Sequence, residues 1–265
     1  MLNIVVCVKA VPDPQDACKI KIDPASGNLT RGNAALVINP LDKHAMEAAL
    51  RIKKQAGAHI TVLSMGPPGA GNIVKECLAL GADRGILLSD RAFGGADAFA
   101  TARTLAEGIK KIGPCDLVLC GMASSDGATE WVGPEMAVFL KMPVVTMVSE
   151  IVEQKGAWWT VKADIEDGYR LMAVKLPAVF TVTRDLNSPR NLSFSGIIKA
   201  RKKEITQWAL ADLGLPETAV GLEGSPTIVS SMTTTESRRE VEMISGTREE
   251  MAEQLVEKLT SAGVI

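Results

Sequence analysis

An apolar run at residues 117–120 ends in Gly121, and a small polar loop follows: Met122, Ala123, Ser124, Ser125, Asp126, Gly127, Ala128, Thr129 and Glu130. A helical pattern then begins, carried by Trp131, Val132, Met136, Ala137, Phe139 and Leu140. A buried parallel strand that empties into such a loop leaves several backbone N–H groups without partners at the sheet's carboxyl edge. Partial positive charge gathers there, which suits a phosphate or pyrophosphate. Gly121 and Gly127 let the backbone approach a ligand, and Ser124, Ser125 and Thr129 add hydroxyl donors. Asp126 is the exception, because a carboxylate repels a phosphate unless it takes a ribose hydroxyl, an adenine amine or the backbone. The same residues also spell an ordinary strand-to-helix loop with Asp126 or Thr129 as the N-cap. Both readings stand on this segment alone.

A sheet must position that loop, and the first half of the chain supplies one. Residues 4–8 form a β-rich run without alternation, as in a strand buried on both faces. A long connection follows through Val11, Pro12, Asp13 and Pro14, with a small hairpin expected around residues 24–27. Asn39 fits an N-cap, Pro40 the first helical position, and Asp42 the first turn of a helix whose apolar face is Ala45, Ala48, Ala49 and Ile52. Strand patterns at 60–65, 84–89, 116–120 and 142–147 alternate with helical ones at 70–80, 97–111 and after the loop. This alternation predicts an α/β fold with a doubly wound parallel sheet, a Rossmann-like architecture for adenine nucleotides. The strand ends at 7–9, 64–66, 89–91 and 120–122 should meet at one edge, where ligands bind in such sheets.

After about residue 150 the pattern changes. Residues 158–165 and 169–176 flank Glu166, Asp167 and Gly168, a hairpin signal, and a further strand is expected at 178–183. A loop at 184–196 leads to the basic residues Lys199, Arg201, Lys202 and Lys203. One helical turn is expected within 208–213, an extended stretch at 221–232, and a closing helix at 247–262 with Met251, Leu255 and Leu259 on one face. The division is a nucleotide-binding domain over 1–220, hairpin and loop included, and an arm over 221–265. A tail with so little apolar surface of its own is expected to lie along a partner rather than fold back on its own domain.

Composition narrows the function classes. A formal net charge of −2 and 4% aromatic residues argue against nucleic-acid binding. The five cysteines, Cys7, Cys18, Cys77, Cys115 and Cys120, are irregularly spaced, and with only His44 and His59 neither a disulfide framework nor a metal site is expected. The N-terminal run is too short for a signal peptide and no segment approaches a membrane span, so a cytoplasmic protein is expected and the sequons at Asn28 and Asn191 carry no meaning.

Taken together, the pieces resemble the small (beta) subunit of electron-transfer flavoproteins over nearly the whole chain. The resemblance is carried by residues 5–9 with Val11, Pro12 and Asp13, and by Asn39, Pro40, Leu41 and Asp42 with residues 47–51. It continues through Ser64, Met65, Gly66 and Pro67, residues 80–84, and Gly95, Ala96 and Asp97 with Ala100 and Thr101. Most specific are Asp126 and Gly127 with residues 132–135, and residues 176–179 leading to Asn187, Ser188, Pro189 and Arg190 and then to residues 199–203. The resemblance implies an electron carrier without catalytic residues of its own, paired with an alpha subunit that holds FAD. It implies AMP in this subunit, or a second FAD where the carrier is of the electron-bifurcating type. The implied nucleotide contacts are Cys7, Asn39, Pro40, Leu41, Asp42, Met65 and Gly66, together with Gly121, Met122, Ala123, Ser124, Ser125, Asp126, Gly127, Ala128, Thr129, Glu130, Trp131 and Val132. Adenosine would lie across 7–9, 39–42 and 65–66, with phosphates at 126–132.

The chain departs from the family at the loop. Met122 and Ala123 stand where Lys-Gln is usual, and Ala128, Thr129, Glu130 and Trp131 where Asp-Thr-Ala-Gln is usual. The variant Ser124, Ser125, Asp126, together with residues 87–90, 93–97 and 208–214, looks more like the branch that feeds low-potential acceptors in anaerobes or nitrogen fixers. That points to FAD rather than AMP. Residues 187–196 resemble a recognition loop that docks on a partner such as an acyl-CoA dehydrogenase, with Leu192 and Phe194 as apolar contacts and Lys202 and Lys203 facing acidic groups. The alternatives on the same sheet are a nucleotide hydrolase or ligase, for which a P-loop is missing, and a stress-protein-like nucleotide module, which gives residues 150–265 no task.

Overall fold

The N-terminal strand β1 (Leu2–Cys7) is apolar from Ile4 onward because helices cover both its sides: Ile4 and Val6 enter one core cluster, Val5 and Cys7 another. Strand β8 (Leu117–Gly121) divides the same way, Leu117 and Leu119 to one side and Val118 and Cys120 to the other. Burial on both faces is what a non-alternating apolar run encodes. The computed structural model describes residues 1–13, 15, 21–22, 29–30, 35–230 and 241–265. Pro14, Cys18, the hairpin expected at 24–27, the Asn28 sequon and residues 231–240 lie outside these.

Two units are present, Met1–Ser230 and Ser231–Ile265. In the first, β1 is followed by β2 (Ala10–Pro12), β3 (Lys21–Ile22), β4 (Leu29–Thr30) and β5 (Leu36–Ile38). Then come α1 (Pro40–Ala56), β6 (Ala58–Met65), α2 (Gly71–Leu80), β7 (Arg84–Leu88), α3 (Ala98–Ile112), β8 and α4 (Val132–Leu140). The remainder is β9 (Val144–Lys155), β10 (Trp158–Ile165), β11 (Gly168–Lys175), β12 (Ala178–Val182), α5 (Phe194–Arg201), β13 (Ile205–Trp208) and α6 (Leu210–Leu213). The main sheet runs β11-β10-β9-β12-β8-β1-β6-β7-β13. From β9 to β13 all neighbours are parallel, while β10 pairs antiparallel with both β9 and β11. Helices α1 and α2 cover one face through Ala45, Met46, Ile73 and Val74, and α3 and α4 the other through Ala102, Leu105, Met136 and Ala137. This is the doubly wound α/β fold. The chain steps outward from β1 through β6 and β7, then returns to β8 on the other side of β1, so the strand order reverses between β1 and β8.

Several elements differ from the sequence expectation. The strand expected at 142–147 continues as β9 to Lys155, because its second half gains β10 as an antiparallel partner after a bend at Met147, where φ is 56°. Residues 205–208 form a strand on the sheet's edge, and the helical turn shrinks to α6. Trp208 there lies between the Arg84 guanidinium and the Lys111 ammonium, 5.7 and 5.2 Å from its ring centre. The stretch expected to be extended from 221 begins instead as a turn over 221–224. Leu222 N–H donates to Gly94 O, and the Asp97 carboxylate accepts from Thr227, which fastens the segment to the body of the first unit. That unit therefore runs past residue 220 to Ser230. Residues 194–201, which span the end of the loop expected at 184–196 and the start of the basic run, form α5 with Ser193 as its N-cap. The second unit contains α7 (Arg248–Ser261), opened by a reciprocal cap between Thr247 and Glu250. No helix among the described residues is long and apolar enough to cross a membrane.

Candidate functional site

At the β1/β8 reversal the carboxyl ends of two neighbouring strands open beneath the N-terminus of α1. Asp42, in the first turn of α1, is 5% exposed, and its carboxylate accepts from Lys9 N–H at 2.7 Å and from Gly121 N–H at 2.8 Å. One side chain thus ties both strand ends to one helix. Burial pushes the Asp42 carboxyl up to about 6 against the lowering effect of those two N–H donors. Gly121 is required for this approach, since a Cβ there would lie 2.6 Å from Asp42 Oδ1 and 2.7 Å from Leu41 Cβ.

Asn39 stands at the N-cap position as the sequence predicts, but its side chain caps nothing. Its amide donates to Ala123 O at 2.8 Å and its Oδ1 accepts from Ser125 N–H at 3.1 Å. The residue crosslinks helix and loop, and at 2% exposure it offers no free polar atom to a ligand. The side chains of Asn39 and Asp42 thus tie the loop, the start of α1 and the two strand ends together. Cys7 is similar: its thiol lies in the core 3.9 Å from Met136 Sδ, and burial raises it far above the usual thiol range, so only its backbone faces the edge. Pro40 is exposed and Leu41 partly so; Met65 and Gly66 end β6 at the same edge, half-buried.

The loop leaves β8 half-buried through Gly121, Met122, Ala123 and Ser124, and is exposed at Ser125, Asp126, Gly127, Ala128, Thr129, Glu130 and Trp131. Ala128 and Glu130 adopt left-handed backbone, with φ of 47° and 62°. Neither Asp126 nor Thr129 caps the helix that follows. The N-cap position belongs to Trp131, which is 63% exposed, and among the described residues no side chain accepts from the first turn of α4. The amides of Thr129, Glu130, Trp131 and Val132 have no hydrogen-bond partner among the described residues. Such a turn would ordinarily be capped. Gly133 brings α4 close against β12, where a Cβ would lie 2.3 Å from Thr181 Cγ2, so these donors sit near the strand ends.

The partner of Asp126 is not legible in the sequence. The Lys9 ammonium reaches across from the end of β1 and meets Asp126 Oδ1 at 2.5 Å and Ser124 Oγ at 3.2 Å. Partial burial alone would raise the Asp126 carboxyl, but the Lys9 bond and charge, with Ser124, bring it below the usual carboxylate range. The available signal was an unexplained acid in the loop and a lysine ending the first strand. The donor set so assembled, one ammonium, one hydroxyl and four open amides, fits a phosphorylated ligand. Two cavities, of about 200 and 300 Å³, lie away from this edge, one between α1, α2 and residues 189–192, the other around Asn3, His59 and Arg84.

The residues expected to dock on a partner lie before, on and just after α5. Leu192 is 42% exposed, Phe194 is 80% exposed as the first residue of α5, and Lys202 is exposed just after it. The Lys203 ammonium donates to Ala82 O, which fastens the end of α5 to the turn after α2.

Comparison with known proteins gives the family of the chain. The sequence matches the electron transfer flavoprotein domain over residues 27–213. It is 46% identical over 267 residues to the caffeyl-CoA reductase-Etf complex subunit CarD of Acetobacterium woodii, covering 100% of both chains. It is 45% identical over 258 residues to an electron transfer flavoprotein subunit beta of Clostridium acetobutylicum, covering 97% of this chain and 98% of that one. It is also 36% identical over 246 residues to the protein FixA of Azorhizobium caulinodans, covering 90% and 86% respectively. The chain belongs to the electron transfer flavoprotein family, among its beta subunits.

Proposed function

We propose that this chain is the nucleotide-holding half of a heterodimeric electron carrier. It binds an adenine nucleotide at the β1/β8 edge and pairs with an alpha subunit in the cytoplasm. The pair passes electrons between a dehydrogenase, or NADH, and an acceptor. The observation that carries the nucleotide reading is the run of four open amides at 129–132, leading into an uncapped α4, in the loop that the Lys9 ammonium contacts through Ser124 and Asp126. FAD is read as the nucleotide, with AMP as the alternative. The relatives named as a reductase-Etf complex subunit and as FixA support the redox setting.

A bound flavin supplies the redox chemistry. This chain's residues bind and orient. Ser124, the open amides of 129–132 and Lys9 would hold phosphate, while Asn39 and Asp42 keep loop, helix and strand ends in register. Leu192, Phe194 and Lys202 are read as the contact to the dehydrogenase.

Purifying the chain with its companion subunit, recording the absorbance spectrum and identifying the released nucleotide tests the proposal. Flavin bands with FAD or AMP released from this chain support it. A colourless complex without adenine nucleotide overturns it.

A further inference from the structure

Lys9 is fixed by its backbone, and its side chain reaches outward from the strand end. Its N–H donates to Asp42 Oδ2 at 2.7 Å and its carbonyl accepts from Asn39 N–H at 2.9 Å. The ammonium is carried over the loop, where Asp126 and Ser124 take two of its three N–H groups. The third has no partner among the described residues. The Lys9 side chain is 46% exposed and that of Asp126 21%, so the cation is the outer member of the pair. A ligand arriving from solvent meets the ammonium before the carboxylate, beside the open amides at the start of α4.

We infer that Lys9 is the residue that recognises the nucleotide's phosphate, and that Asp126 is its counter-ion in the empty site, exchanged for phosphate when nucleotide binds. The inference rests on the adenine-nucleotide reading of this edge. A phosphate dianion carries more charge than a carboxylate and draws on the amides as well, so the exchange favours the ligand. A nucleoside without phosphate gains nothing from Lys9. Asp126 then opposes phosphate binding, whereas an N-cap or a ribose-binding acid would be neutral or favourable.

The test is calorimetric titration of the full-length chain, purified with its companion subunit and stripped of nucleotide, with AMP and with adenosine at low salt. Lys9→Met is expected to weaken AMP about tenfold or more, the loss of one charge-assisted hydrogen bond, and to leave adenosine unchanged. Lys9→Arg should restore most of the AMP affinity. Asp126→Asn should tighten AMP roughly threefold or more, again without effect on adenosine. Equal loss of AMP and adenosine in Lys9→Met, or weaker AMP binding in Asp126→Asn, overturns the Lys9 assignment while leaving the site reading intact. A wild type that binds neither AMP nor adenosine takes down both.

Discussion

Arg190 and Glu47, 143 residues apart, meet through a forked contact: Nε donates to Oε2 at 2.6 Å and Nη2 to Oε1 at 3.1 Å. Glu47 lies on α1, 5% exposed, and burial alone would raise its carboxyl; Arg190 and Arg51 together hold it below the usual range. One turn earlier, His44 Nδ1 donates to Asn187 O at 2.8 Å and Asn187 returns a bond to His44 O at 2.9 Å. Helix α1 thus fixes the start of the loop after β8 with its first turn and the segment leading to α5 with its second. Bidentate geometry of this kind fixes orientation as well as contact.

Because that segment is anchored from within the unit, Phe194 can be tested without disturbing it. Phe194→Ala is expected to slow electron transfer with the physiological dehydrogenase by removing a contact worth roughly 2 kcal/mol. Bound nucleotide and reduction by a small chemical reductant should not change. Stopped-flow kinetics that match the wild type would reduce Phe194 to a surface residue.

Two glycines of the loop should behave oppositely. A Cβ at Gly127 would sit 3.4 Å from Ser124 Oγ and 3.8 Å from Lys9 Nζ, ordinary contacts, so Gly127→Val should leave urea unfolding within about 0.5 kcal/mol of wild type. It should nevertheless empty the site, which extraction and quantification of bound nucleotide will show. Gly121→Ala should cost stability on the order of 2 kcal/mol, since its Cβ meets Asp42 and the Leu41 backbone.

Asp42 gives a pH signature. Its folded-state carboxyl is raised to about 6 from an ordinary value of 3.8, so folding favours the protonated form. The stabilisation is complete below the ordinary value and is lost as pH rises through about 6, a span worth roughly 3 kcal/mol. Asp42→Asn removes this dependence and turns an amide N–H₂ toward one of two N–H donors. The variant should be less stable than wild type at pH 7, by about 1–3 kcal/mol. The gap should widen as pH falls toward 4. Urea unfolding of both proteins between pH 4 and 7 measures it, and a gap that narrows on acidification contradicts the assignment.

The arm should carry subunit assembly. A cut near Gly224 would remove Ser225, whose Oγ accepts from Asp97 N–H at 2.8 Å, and Thr227, bonded to the Asp97 carboxylate. Ending the chain at Ser230 spares these contacts. The shortened chain should keep its nucleotide site and lose its companion subunit in co-purification. Met251, Leu255 and Leu259, four residues apart on α7 with Leu255 48% exposed, are the contacts expected to be missed. A full-strength complex from the shortened chain would show that the arm does not hold the partner.

The sequence by itself determined the alternation of strands and helices, the edge at which β1, β6, β7 and β8 end, and the loop opening α4, because local periodicity and glycine placement encode these within a few turns. Contacts between distant segments needed the tertiary structure. The strand at 205–208 is only four residues long, too short for its pattern to be distinct, and exists because β7 offers an open edge. The insertion of β12 between β9 and β8 follows from pairing that no local window contains. Asn39 and Asp42 were legible as helix-start residues, yet their oxygens go to loop and strand amides that reach them only once the sheet is assembled. Lys9 and Asp126 are 117 residues apart, so neither could be read as the other's partner until two parallel strands brought their ends side by side.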